Sequence, residues 1–261
     1  IDVQVGIGNS GDGGDVQISA GETAAQGKQG GSVQIAGGLG SFDTLGFDGG
    51  AGGDVLVSGG EARGQHPSNR GGDVAVSGGL AAEGTGGAVL ITSGASAQHD
   101  RGLIAVRSSD SGVSGVSGSI TVGSGAASDG NSGAVEFSTG PAHAGQGGNI
   151  IIAVGTGNSG KGGDVSIAAG SSQTVTGRAG GDVTIVSGAS EQTSSGGVSI
   201  ATADAGTLGV SGPISLSTGD TMVGTSGDVS IITGGSADGR SGDVKLSTGE
   251  STRGSGGDII V

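Results

Sequence analysis

The chain has no cysteine, tryptophan or tyrosine, and its 261 residues include only three phenylalanines and three prolines. Without cysteine there can be no disulfide, no thiol chemistry and no cysteine-ligated zinc. With so few aromatic residues, a hydrophobic core of the usual globular kind cannot be built. No apolar run approaches the roughly 18 residues that span a bilayer, so we expect no membrane-spanning segment.

Basic residues are also scarce. Ten Lys and Arg stand against 24 Asp and Glu, which gives a formal net charge of -14. A surface this acidic repels phosphate backbones, so we expect no nucleic-acid partner. Acidic patches attract Ca²⁺ or basic partners instead.

Glycine is abundant, with 66 residues, and it belongs to an internal repeat. The unit is an apolar pair, Val/Ile-x-Val/Ile/Leu/Phe, usually preceded by Gly-Gly-Asp or Ser-Gly-Asp. The first residues of its 17 copies are Val3, Val16, Val33, Val55, Val74, Val89, Ile104, Ile120, Val135, Ile150, Val165, Val183, Val198, Ile214, Val229, Val244 and Ile259. Collagen is excluded because glycine does not recur at every third position.

The repeat keeps fixed columns. Nine of its 16 intervals are 15 residues long, and in all nine glycine stands five and 13 residues after the first apolar residue. The residue seven positions after it is always small. Glycine at fixed offsets predicts sharp corners with positive φ, and the small column predicts a wall that approaches its neighbour closely.

Apolar residues two apart are typical of a β-strand with one buried face. A strand, a corner, a thin wall and a return within 15 residues describe one coil of a parallel β-solenoid. The sequence therefore predicts an all-β, parallel β-solenoid (β-helix) of about 17 repeats, one repeat per coil. Two repeats in each 30-residue coil are the alternative, because Val and Ile would then face each other across two sheets.

We expect a single array over residues 1–261, with a long loop insertion at 36–54. Neither end of the array carries a polar capping segment, so the chain is interpreted as a segment of a longer repeat protein or as a unit that stacks end to end.

Aspartate directly before the apolar pair is the main polar column. One interpretation is a side chain that accepts N–H groups at a glycine corner. The other is a calcium ladder, because Ca²⁺ prefers carboxylate oxygens. Gly49 to Val57 also resembles the nonapeptide of calcium-binding RTX proteins. The predicted metal residues are Asp54, Asp164, Asp182, Asp228, Asp243 and Asp258.

The 36–54 insertion contains Phe42, Leu45 and Phe47, and thus two of the three phenylalanines of the chain. These residues are either a loop that folds over the flank of the solenoid or a contact site for another chain.

No residues form a recognisable catalytic arrangement. The histidines lie in different repeats, and no Gly-x-Ser-x-Gly elbow is paired with a histidine. We therefore expect a protein that is not an enzyme and that needs no cofactor, with Ca²⁺ as the one ion to test.

The unit Gly-Asp-Val-Ser-Ile, at 163–167 and again at 227–231, resembles long secreted repeat proteins of diatoms and related algae. The resemblance implies an extracellular or cell-surface, adhesive or fibrous role. From it we expect a non-catalytic structural protein of a filament, sheath or adhesive, which associates with itself end to end or laterally, or with other matrix proteins. The alternative is a soluble solenoid with a calcium-, ligand- or ice-binding face.

Overall fold

A computed structural model describes residues 1–6, 8–42, 49–96, 102–113, 115–173 and 179–261 of the chain. Within these ranges the backbone forms neither an α-helix nor a β-strand. The prediction of a parallel β-solenoid is therefore wrong for both coil sizes, and the terms β-solenoid and β-helix do not describe the molecule.

Two units divide the chain, Ile1–Val135 and Glu136–Val261. Both are built from the same local arrangement, in which each repeat forms a loop between one apolar pair and the next. The prediction of one continuous array over 1–261 stays a prediction.

A backbone hydrogen bond closes the base of the loop in seven repeats. The donor is the N–H of the glycine two residues before an apolar pair, and the acceptor is the carbonyl five residues after the start of the preceding pair. The donor and acceptor pairs, which we call necks, are Gly31–Gly21, Gly53–Gly38, Gly72–Gly60, Gly87–Gly79 and Gly102–Gly94 in the first unit, and Gly181–Gly170 and Gly196–Gly188 in the second. Their N···O distances are 2.8–3.1 Å.

These bonds explain why the solenoid does not form. In a parallel ladder, the backbone groups of one apolar pair would bond to those of the next repeat. Among the described residues, the backbone hydrogen bonds instead close necks or short turns, and none joins successive apolar pairs. The repeats are therefore held individually.

The two arms of a loop also touch at the neck, and this contact accounts for one glycine column. A Cβ on Gly102 would lie 3.3 Å from the Cβ of Ser93, and one on Gly196 would lie 3.6 Å from that of Ser187. Ser93 and Ser187 are half-buried, while nearly all other described residues are exposed. Glycine stands at this position before each of the 16 pairs from Val16 onward. The reason is close approach of the arms, and not the positive φ that the sequence suggested.

Loop length varies while the neck stays the same. The shortest closed loops run from Gly79 to Gly87 and from Gly188 to Gly196, and the longest runs from Gly38 to Gly53. The predicted 36–54 insertion thus contains a neck of its own. Insertions lengthen the loop beyond the neck, where they disturb no packing.

Loop tips bend eight to ten residues after the first apolar residue, for example at 82–84, 128–130 and 237–239. The small residue at position seven begins this bend. Ser190 Oγ accepts the N–H of Thr193 at 3.1 Å, and Ser251 Oγ accepts the N–H of Gly254 at 3.0 Å. The small column therefore belongs to turns capped by hydroxyl groups, and the predicted thin second wall is wrong.

Positive φ angles occur at the end of this bend. Gly130, Gly160 and Gly224, each ten residues after an apolar pair begins, have φ of 106°, 78° and 113°. Ala144 has φ of 122° and is the one non-glycine residue in this region among those described. Here the expectation that glycine allows positive φ is confirmed.

No described residue is buried, so the fold has no hydrophobic core. The accessible surface is 25951 Å². A folded globular protein of this mass exposes about 9,900 Å², and its unfolded chain exposes about 34,700 Å². This conformation removes only about a quarter of the unfolded surface from water, against about 70% for globular proteins of similar size.

Replacing Gly87 by alanine should open its neck, because the new Cβ would meet Gly79 N at 2.9 Å. The matched control is Gly79→Ala, whose Cβ would meet nothing within 4 Å. Amide hydrogen exchange at residue 87 should become several-fold faster in the first variant and stay unchanged in the second. Equal exchange in both variants would contradict the neck contact.

Replacing Gly160 by alanine should cost about 1 kcal/mol, because an L side chain disfavours positive φ. Gly84→Ala is the control, since Gly84 occupies the same column without a positive φ and its Cβ would make only an ordinary contact at 3.9 Å. Hydrogen exchange in each loop measures the effect. Faster exchange in the Gly84 variant alone would refute the assignment.

Candidate functional site

The predicted calcium residues lie one in each repeat, directly before an apolar pair, and all six are exposed. The structure does not bring them together. Within the described ranges, no group of three or more His, Asp or Glu side chains could hold one metal ion. A calcium ladder therefore stays a prediction, and it would need carboxylates from more than one repeat or more than one chain.

Several residues of the aspartate column have a cation as their neighbour. Lys161 Nζ lies 2.9 Å from both carboxylate oxygens of Asp164. Arg240 Nη2 donates to Asp243 Oδ1 at 2.6 Å. A looser pair joins Arg70 and Asp73 at 3.7 Å.

These pairs share one spacing, with Lys or Arg three residues before the aspartate and a glycine between them. The signal was visible in the sequence as Arg70-Gly-Gly-Asp73, Lys161-Gly-Gly-Asp164 and Arg240-Ser-Gly-Asp243, but the sequence reasoning did not use it. The aspartate of these repeats thus has a local role that differs from both earlier interpretations.

Exposure limits what the ion pairs contribute. The side chains of Lys161 and Asp164 are 80% and 74% exposed. Exposed pairs typically contribute about 0.2–1 kcal/mol, and salt screens them. Their main effect is to neutralise part of the negative charge beside the apolar pair.

Of the predicted contact residues in the 36–54 insertion, Phe42 is described and its side chain is exposed. Leu45 and Phe47 lie outside the described residues. Phe42 does not pack over a neighbouring surface, so the contact-site interpretation stays a prediction.

The apolar pairs form the most regular surface of the molecule. From Val16 to Val244 the first residue of each pair is 48–60% exposed, and from Ile18 to Leu246 the second is 67–76% exposed. The residue between them, where it is apolar, is 81% exposed or more, as at Leu56, Leu90 and Ile151. The two residues of a pair therefore share a face, and the middle residue points away from it.

No protein-family model, curated protein or solved structure matches the chain. The resemblance to secreted algal repeat proteins accordingly stays a prediction that rests on the repeated motif. In the described part of the chain, no helix has the length and apolar character needed to cross a membrane.

Calcium binding to the isolated chain should be weak, with a dissociation constant of about 1 mM or more. Tight sites need six to eight oxygen ligands, and each described aspartate of the column stands alone. Isothermal titration calorimetry measures this affinity, with Mg²⁺ at equal ionic strength as the control. Micromolar Ca²⁺ binding that is lost in Asp228→Asn would contradict the expectation and support the ladder.

Proposed function

We propose that the chain is a non-catalytic structural protein that forms an extracellular filament, sheath or adhesive by association of many chains. One observation carries the proposal: every described repeat presents the same aliphatic pair, and none of these pairs is buried. Exposed aliphatic surface of this extent is a cost in water that association removes.

The thermodynamic argument concerns the chain as a whole. Ordering the backbone costs about 1–2 kcal/mol per residue, and burial of apolar side chains is the main term that offsets this cost. A single chain with no buried side chain lacks that term. The conformation becomes stable when other molecules cover the aliphatic pairs.

The repeat architecture supports a mechanical role for the assembly. Each loop is closed by its own neck, so one repeat can be lengthened without disturbing another. The extracellular location is proposed from the resemblance to secreted algal proteins. Self-association is the proposed mode of partnership, with other matrix proteins as additional partners.

A soluble protein that presents a calcium-, ligand- or ice-binding face is the competing function. Thermal unfolding with and without Ca²⁺ separates the two, because a specific ligand stabilises the state that binds it. A large increase in melting temperature with Ca²⁺ at low protein concentration would favour the competing function.

Purified chain should associate as its concentration rises. Sedimentation velocity from about 1 to 100 μM should show a growing average mass, and negative-stain electron microscopy should show assemblies, because association follows mass action. A chain that remains monomeric across this range, in buffers with and without Ca²⁺, would refute the proposed function.

A further inference from the structure

We propose that the apolar pairs are the surface on which a second copy of this chain docks. The inference rests on the proposed function and goes beyond it, because it identifies the contacting residues, the partner and the response to salt. The relevant surface is the pair face, defined as the first and third residues of the Val/Ile-x-Val/Ile segments. Its members in the second unit include Val198, Ile200, Val229 and Ile231.

Exposure and residue type distinguish the pair face from the opposite side of the same segments. In the second unit the middle positions are mostly polar, as Ser166, Ser199 and Ser230 show. The pair positions are aliphatic in every repeat there after Phe137. The chain thus has a separate apolar side and polar side within each segment, and only the apolar side gains by leaving water.

The pair face is large enough for a stable contact. An aliphatic side chain exposes roughly 100 Å², so a pair that is half and three-quarters exposed offers about 120 Å². Each unit contains seven complete pairs with these exposures, beginning at Val16 in the first unit and at Ile150 in the second. Seven pairs offer about 800 Å², which is what one partner contributes to a standard stable interface.

The spacing of the pairs identifies the occupant as a second copy. Successive pairs in the second unit are 15 residues apart at 150–165, 183–198 and from 214 to 259. A second copy carries the same spacing, so several pairs can meet at once and each weak contact raises the local concentration for the next. A small apolar ligand would fill one pair and leave the others in water.

Charge predicts the salt dependence of this contact. Two copies with a net charge of -14 repel each other, and added salt screens that repulsion with a Debye length of about 10 Å at 0.1 M. Apolar burial is not weakened by such screening. Association through the pair face should therefore become tighter as NaCl rises, whereas association through Lys or Arg with Asp would become weaker.

The main experiment compares two double variants of the full chain. Ile200→Asp/Ile231→Asp places two carboxylates on the pair face, and Ser199→Asp/Ser230→Asp places the same charge one residue away on the polar side. Sedimentation equilibrium should show the association midpoint rising at least about tenfold in the first variant, because an unpaired charge resists burial. In the second variant the midpoint should rise less than about threefold.

Ile200 and Ile231 are 70% and 69% exposed, so their replacement removes little packing within one chain. A label provides an independent readout if the first variant alters the loops. The chain has no cysteine, so Ile231→Cys and Ser230→Cys each carry one environment-sensitive fluorophore. Emission should shift to the blue on association at position 231 and stay unchanged at 230.

The outcomes separate the interface from the function. If the wild type associates but the two double variants weaken it equally, or the two labels respond equally, the pair face is overturned and the structural role stands. Weakening of wild-type association by NaCl would also overturn the pair face. If the wild type does not associate at all, the proposed function itself fails.

Discussion

The close approach of two backbone arms at the neck is the constraint on which the rest of the structure depends. One arm contributes a carbonyl five residues after the start of an apolar pair, and the other contributes a glycine N–H two residues before the next pair. The glycine is required because a side chain there would enter the space of the opposite arm, as at Gly102 beside Ser93. Each repeat is thereby closed on itself.

Closure within a repeat has a cost that appears on the outside of the molecule. Backbone groups that bond inside one loop are not available to pair successive repeats, and without such pairing no sheet covers the aliphatic side chains. The result is a regular series of half-exposed and three-quarters-exposed residues such as Val89 and Ile91. The aliphatic residues that would make a core in another protein here become surface, which is the physical basis for assigning the chain a role in assembly.

Much of the repeat could be predicted from the sequence. The apolar pairs, the glycine columns and the small column all correspond to a defined place in the structure. Their interpretation was less successful: the predicted second wall is a hydroxyl-capped bend at residues such as Ser190, and the glycine beside the neck serves close approach. A column shows that equivalent residues share an environment, but a closed loop and a stacked coil both produce such equivalence.

The candidate site was predictable to a similar extent. Aspartate before the pair was recognised as the main polar column, but its partner in three repeats is a cation three residues earlier, as Lys161 is for Asp164. That pairing is local and the spacing contains it. Whether carboxylates from different repeats converge depends on distances between repeats, which no single repeat specifies.

The sequence by itself determined the period, the two-residue spacing of the aliphatic side chains and the positions where only glycine fits, because these are local properties of the chain. Only the tertiary structure decided which backbone groups bond to each other. That choice is a competition between partners eight residues apart in one loop and partners in the next repeat, and in the described chain the nearer partner within the loop is the one that forms the bond.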